Sequence, residues 1–190
     1  MMTYRSKKNI KYDKYFLDDS RSLFPRAKVA IIGERNDLSR AFTKVNSTGG
    51  QQLVFIPLTL DLSDDELMFD LLRELKPNFV INTLIDLSVD EAEKDPARCR
   101  LLNHELVIGL AIVCKELGST LIHLSTDFVF DGSKNEPYLE DNIASPINLL
   151  GQICFEAEQE VSNVLEQRII IRTGRLFESI EDDFIRKIIN

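Results

Sequence analysis

Ser119-Thr-Leu-Ile-His-Leu-Ser-Thr-Asp-Phe-Val-Phe-Asp-Gly132 is the stretch of this 190-residue chain that decides its fold. It opens as an apolar run with β-branched residues and closes on an Asp-Gly turn, which is how a strand buried on both faces reads. Such a strand belongs in a parallel sheet. It carries two hydroxyls, Ser125 and Thr126, and the Asp127 carboxylate to its C-terminal end, where open α/β sheets bind ligands.

Working outward, four more short apolar runs are predicted as strands, at residues 27–33, 52–57, 78–82 and 168–173. Helical periodicity fills the gaps. Residues 64–75 place Leu67, Leu71, Leu72 and Leu75 on one face, and residues 96–117 do the same with Leu102, Leu106, Leu110, Val113 and Leu117 before Gly118. Residues 151–167 form a further helix whose Glu156, Glu158, Glu160 and Glu166 read as a solvated face, and a last helix is predicted over 181–189. Strands joined by helical crossovers give an α/β, Rossmann-like, doubly wound parallel sheet, expected in the order 3-2-1-4-5.

Ser125-Thr-Asp-Phe-Val-Phe-Asp-Gly132 resembles the signature of the dTDP-4-dehydrorhamnose reductases, a branch of the extended short-chain dehydrogenase/reductases. Pro137-Tyr-Leu-Glu-Asp141, Pro146-Ile-Asn-Leu-Leu-Gly151 and Val89-Asp-Glu-Ala-Glu93 extend the likeness. The resemblance implies a nicotinamide cofactor, NAD(P), and hydride transfer to a keto-sugar nucleotide. It assigns Thr126 the role of the hydroxyl that polarises the carbonyl. By matching position it gives Gly33, Asn36, Asp61, Asn82 and Ser125 contacts with the cofactor, and it calls for no metal.

The chain departs from the family pattern in three places. Where the reductases carry Tyr-x-x-x-Lys, with the tyrosine just before a glycine, this chain has Leu150 and Cys154. A hydrocarbon cannot donate a proton and a thiol brings no cation at neutral pH. The glycine-rich loop resembles Gly-x-x-Gly-x-x-Gly only at Gly33, since Asn36 and Ser39 stand at the later glycines. The small-residue run against which the cofactor lies is Asn82-Thr-Leu-Ile-Asp86, with Leu84 and Ile85 filling space. These departures argue for a non-catalytic nucleotide- or nucleotide-sugar-binding regulatory protein. The regulatory subunit of methionine adenosyltransferase, similar to these reductases, sets a precedent. The alternatives are a nucleotide-sugar reductase completed by a partner or a C-terminal region, the substrate lobe being largely absent here, and an interaction scaffold using the helix at 151–167.

Composition bounds the rest. With 44% hydrophobic and 28% charged residues the chain reads as one globular domain, residues 27–190, preceded by a basic extension, residues 1–26. Residues 1–28 hold eight Lys/Arg against three Asp, a charge of +5, and the net charge of −8 therefore leaves −13 on the remainder. That acidic body disfavours nucleic acid, which is bound by neutralising phosphates, and leaves a protein partner, a homo-oligomer or a small nucleotide. No run of 18 apolar residues and no leader pattern is present, so no membrane association is expected. Three unevenly spaced cysteines match no metal or redox motif and suit the cytoplasm. His104 is expected at the surface or on a cleft wall, and His123 in the core.

Overall fold

The computed structural model describes residues 27–33, 38, 41–42, 52–56, 65–84, 88–174 and 176. The basic extension, Asn36, Asp61 and the helix predicted at 181–189 lie outside the described residues.

Five parallel strands form one sheet: β1 (Lys28–Ile32), β2 (Gln52–Ile56), β3 (Phe79–Asn82), β4 (Thr120–Thr126) and β5 (Arg168–Thr173). All five lie where apolar runs bounded by turn residues predict them. Their order is β2-β1-β3-β4-β5, so the expected 3-2-1-4-5 is corrected. After β2 the chain crosses back over β1 instead of adding a strand outside β2. Burial gives the reason. Val80, Ile81 and Asn82 of β3 are buried, which suits a central strand, whereas Leu53, Val54 and Phe55 of β2 are only half-buried, which suits an edge.

Beyond β2, the helices among the described residues are α1 (Asp65–Leu75), α2 (Val89–Lys94), α3 (Pro96–Arg100), α4 (Leu106–Leu117) and α5 (Leu149–Val164). The helix expected over 96–117 is thus interrupted by a π turn, Leu101–Glu105, which buries Asn103 and satisfies its amide on the Cys99 carbonyl at 3.1 Å. Gly118, at φ 67°, ends it as predicted. α5 begins two residues before the expected start because the Asn148 side chain caps it, accepting from Gly151 N at 2.8 Å.

Alternation along the strands builds two cores. Ala30, Ile32, Val80 and Leu121 face α1, α4 and α5, packing with Met68, Leu72, Leu106, Leu110 and Val161. Val29, Ile31 and Ile81 point the other way, toward Phe42, Leu53 and Phe55. A third cluster lies off the sheet, where α2 and α3 meet the start of α5.

His123 sits in the sheet as the sequence predicts, 3% exposed and paired in register with Asn82. The Asn82 amide donates to His123 Nδ1 at 3.2 Å, which requires that nitrogen to be unprotonated. Burial pushes the imidazole pKa down from 6.5 to about 4. As pH falls through 6.5 the unfolded chain binds a proton that the folded chain refuses, so this contribution to stability is complete above pH 6.5 and lost by pH 4. It is worth about 3 kcal/mol. Urea unfolding of the wild type and His123→Gln between pH 7 and 4 checks this: the two stabilities should converge as the medium is acidified, and parallel curves would show that the histidine does not titrate in this window.

Candidate functional site

The C-terminal ends of β1, β3, β4 and β5 meet along one edge of the sheet, where the sequence-predicted Gly33, Asn82, Ser125 and Thr126 stand, with Leu150 and Cys154 directly behind. At the end of β4 Thr126 is 1% exposed. Its hydroxyl accepts from Phe128 N at 3.2 Å and lies 3.3 Å from Asp127 Oδ1, so it caps the 3-10 turn Asp127–Val129. The exposed carboxylate on this edge is Asp127, which also faces the backbone of Gly174 beyond β5.

The first residues of α5 pack directly behind that turn. A Cβ on Gly151 would collide with the carbonyl oxygen of Phe128, so the absence of a side chain here lets the helix sit against the turn. Leu150 is 0% exposed and Cys154 3%, and both belong to the third cluster, with Ala92, Cys99, Val129 and Ile153. Burying a leucine this fully stabilises by roughly 1.5–3 kcal/mol. Burial, aided by Cys99 and Glu158, pushes the Cys154 thiol up to about 12. The two positions at which the resemblance looks for a phenol and an ammonium are therefore filled by packed, uncharged side chains.

Glu158 corrects the reading of α5 as a uniformly solvated face. One turn beyond Cys154, it is 4% exposed. Ser125 Oγ donates to its Oε1 at 2.5 Å, and Arg172 on β5 donates from Nε at 3.1 Å and from Nη2 at 2.7 Å. The Arg172 guanidinium lies 5.0 Å from the Phe130 ring centroid, Phe130 stacks on Tyr138 at 4.2 Å, and the Tyr138 hydroxyl donates to Asp131 at 2.8 Å. One polar chain thus ties the end of β4 to α5, β5 and the following loop. The signal for it was in the sequence: an arginine inside the apolar run Arg168-Ile-Ile-Ile-Arg172 needs a buried carboxylate. Ser125, predicted to touch a cofactor, spends its hydroxyl on this network.

At the other end of the edge, Gly33 is buried with φ 137°, a conformation that side chains rarely adopt. A Cβ there would collide with Thr83 Oγ1 and stand 3.6 Å from the Leu84 side chain. Thr83 Oγ1 in turn donates to the Ile32 carbonyl at 2.8 Å. Asn82 Oδ1 accepts from Leu84 N at 3.1 Å while its amide is held by His123. Gly33→Ala should therefore lower stability by about 1–3 kcal/mol, from backbone strain together with overpacking, read as a drop in the urea midpoint. An unchanged midpoint would mean that Thr83 can step aside.

The nicotinamide cofactor of the resemblance fits these residues at the glycine turn only. Gly33 offers the bare backbone that a dinucleotide needs, with the Thr83 hydroxyl and the Leu84 side chain packed beside it. At the opposite end the two positions that carry the family's phenol and ammonium hold the buried Leu150 and Cys154, and Ser125 and Asn82 are bound within the fold. His104 lies mostly buried beside α5, with Nε2 3.3 Å from Glu160 Oε1, at an angle short of a hydrogen bond. Of the two positions expected of it, the surface or a cleft wall, its low exposure rules out the first. Among the described residues no three His, Cys, Asp or Glu side chains gather in a metal-binding arrangement, the three cysteines are buried and form no disulfide, and no helix is long and apolar enough to cross a membrane.

Comparison with known proteins matches residues 27–190 to the family described as the RmlD substrate binding domain. The dTDP-4-dehydrorhamnose reductase of Streptomyces griseus is 32% identical over 170 residues, covering 88% of this chain and 56% of that protein. The Burkholderia thailandensis reductase is 29% identical over 159 residues, covering 84% and 53%. A Clostridium acetobutylicum reductase ortholog superimposes with a TM-score of 0.74 at 28% identity, over 85% of this chain and 58% of that one. The Bacillus anthracis reductase, solved in complex with NADP, shares the fold with a TM-score of 0.77 at 24% identity, over 88% and 60%. The chain thus spans a little over half the length of the relatives it matches. With its sheet, its strand-end hydroxyls and its matched residues all pointing one way, it belongs to the dTDP-4-dehydrorhamnose reductase family.

Proposed function

We propose that this chain is a non-catalytic member of its family, a cytoplasmic protein that binds a nucleotide or nucleotide sugar and regulates a partner. The observation that carries the reading is the burial of Leu150 and Cys154 in one apolar cluster. A positioned proton donor contributes about 10²–10⁴ in rate, and the side chains that would supply it and tune it are replaced by packing groups. The satisfied state of Ser125, Thr126 and Asn82 supports the same reading, because each polar group at the strand ends already has a partner within the fold. The glycine turn at Gly33 supports the retention of nucleotide contact, with Asn36 and Asp61 as further contacts by matching position.

The reading is tested by titrating the purified chain with NADPH and with dTDP, followed by nicotinamide fluorescence and by thermal shift, and by assaying NADPH oxidation with a 4-keto sugar nucleotide. Saturable binding without turnover is expected. Turnover at an ordinary enzymatic rate, with no added subunit, would overturn it. A second reading is a reductase completed by a further polypeptide or region. The chain's span of roughly half its relatives' length and its retained Thr126 favour that reading, and turnover appearing only with the complement present would establish it.

A further inference from the structure

A groove of about 1000 Å³ runs between the outer side of α5, β5 and the loop that carries Tyr138. Its floor is apolar: Phe155 and Ile170 are half-buried, and Leu139 and Ile171 are exposed at 58% and 43%. Its walls are acidic. Four glutamates line it against one guanidinium, Arg172, which Glu158 already holds; Glu156 is paired with Arg100, which leaves Glu140 and Glu160 along the sides. Arg100 reaches Glu156 and His104 reaches Glu160 from outside the lining, and Glu140 stands exposed. Charges set this close around one groove lie within about a Debye length, ~8 Å at physiological salt, of anything seated in it. A smaller cavity of about 230 Å³ beside Ser88 and Cys99 is too small for a chain segment.

The complement of such a groove is a cationic segment with interleaved apolar groups. The chain contains one. Residues 1–26 hold seven Lys/Arg against three Asp, with Tyr4, Tyr12, Tyr15, Phe16 and Leu17 set among the lysines. Reach is no obstacle, because β1 lies three strands from β5, about 14 Å at the usual strand spacing, and about five extended residues cover that distance. We propose that the basic segment of residues 1–26 docks in this groove, its lysines against Glu140 and Glu160 and its aromatic rings on Leu139 and Ile171. The groove is then an intramolecular interaction surface, independent of whether the strand ends bind a nucleotide.

The full chain provides the test. Chymotrypsin cleavage after Tyr12 and Tyr15 is compared between the wild type and Glu140→Lys/Glu160→Lys, both exposed positions, with circular dichroism confirming that the variant stays folded. Cleavage should accelerate at least tenfold in the variant, and adding Lys7→Glu/Lys8→Glu/Lys11→Glu to it should restore protection. Carbodiimide treatment of a mixture of ¹⁴N- and ¹⁵N-labelled chains should join Lys7, Lys8, Lys11 or Lys14 to groove glutamates within one isotope. Equal cleavage rates would overturn the proposal, as would crosslinks running only between isotopes, which would assign the groove to a second copy. Crosslinks from Lys187 in place of the N-terminal lysines would also overturn it.

Discussion

Glu158→Ala should remove about 3–5 kcal/mol of folding stability, a large share of what a domain of this size has. The carboxylate is 4% exposed and is the acceptor for both Arg172 and the Ser125 hydroxyl, so its loss strands a guanidinium that is only 24% exposed on its side chain, together with a buried donor. Breaking a buried pair from one side costs far more than exchanging the whole pair for apolar groups. Glu158→Leu with Arg172→Met should therefore lose less stability than Glu158→Ala alone, even though it changes twice as many residues. Urea titrations of the three proteins decide the matter. A loss below about 1 kcal/mol for Glu158→Ala would place the pair among solvent-screened contacts and remove it as the tie between β4, α5 and β5.

The second large effect concerns the family's missing pair. Leu150→Tyr with Cys154→Lys restores the phenol and the ammonium in composition, but it puts them into space already filled by Ala92, Cys99, Val129 and Ile153. Overpacking at Leu150 should cost about 1–3 kcal/mol, and an ammonium in the same apolar cluster several kcal/mol more, offset in part by the neighbouring Glu158. The expected result is a protein at least about 3 kcal/mol less stable, with no NADPH-dependent turnover of a keto-sugar nucleotide. If the double variant instead keeps wild-type stability and oxidises NADPH, only two side chains separate this chain from an enzyme, and the non-catalytic reading fails.

The strands were legible because a buried parallel strand is written locally: each is an apolar run with a turn at its end, and the runs around Ala30, Val80 and Leu121 all fell in the sheet. Strand order is a long-range property, and the same five runs are compatible with more than one threading. The crossing back after β2 is betrayed only by the greater burial of β3, which no local pattern states. The π turn at Leu101–Glu105 was hidden for a related reason: Leu102, Leu106 and Leu110 keep a spacing that an uninterrupted helix would also satisfy, and the burial of Asn103 is what marks it. In the candidate site the substitutions at 150 and 154 could be read directly by alignment with the family pattern. The Ser125, Glu158 and Arg172 network could be read only in part: Arg172 in an apolar run calls for a buried carboxylate, but the glutamate that answers it comes from another element and sits among others that are exposed.

The contact between Gly151 and the Phe128 carbonyl limits what this scaffold can become. A helix already resting on the backbone of the turn cannot retreat toward it to admit a bulkier neighbour. Room for a ring at position 150 would have to be found on the far side, by trimming or shifting Ala92 and Cys99 on α2 and α3. Any lineage, natural or engineered, that regains a proton donor at this position should therefore carry accompanying changes in those two short helices, well away in sequence from the residue that does the chemistry.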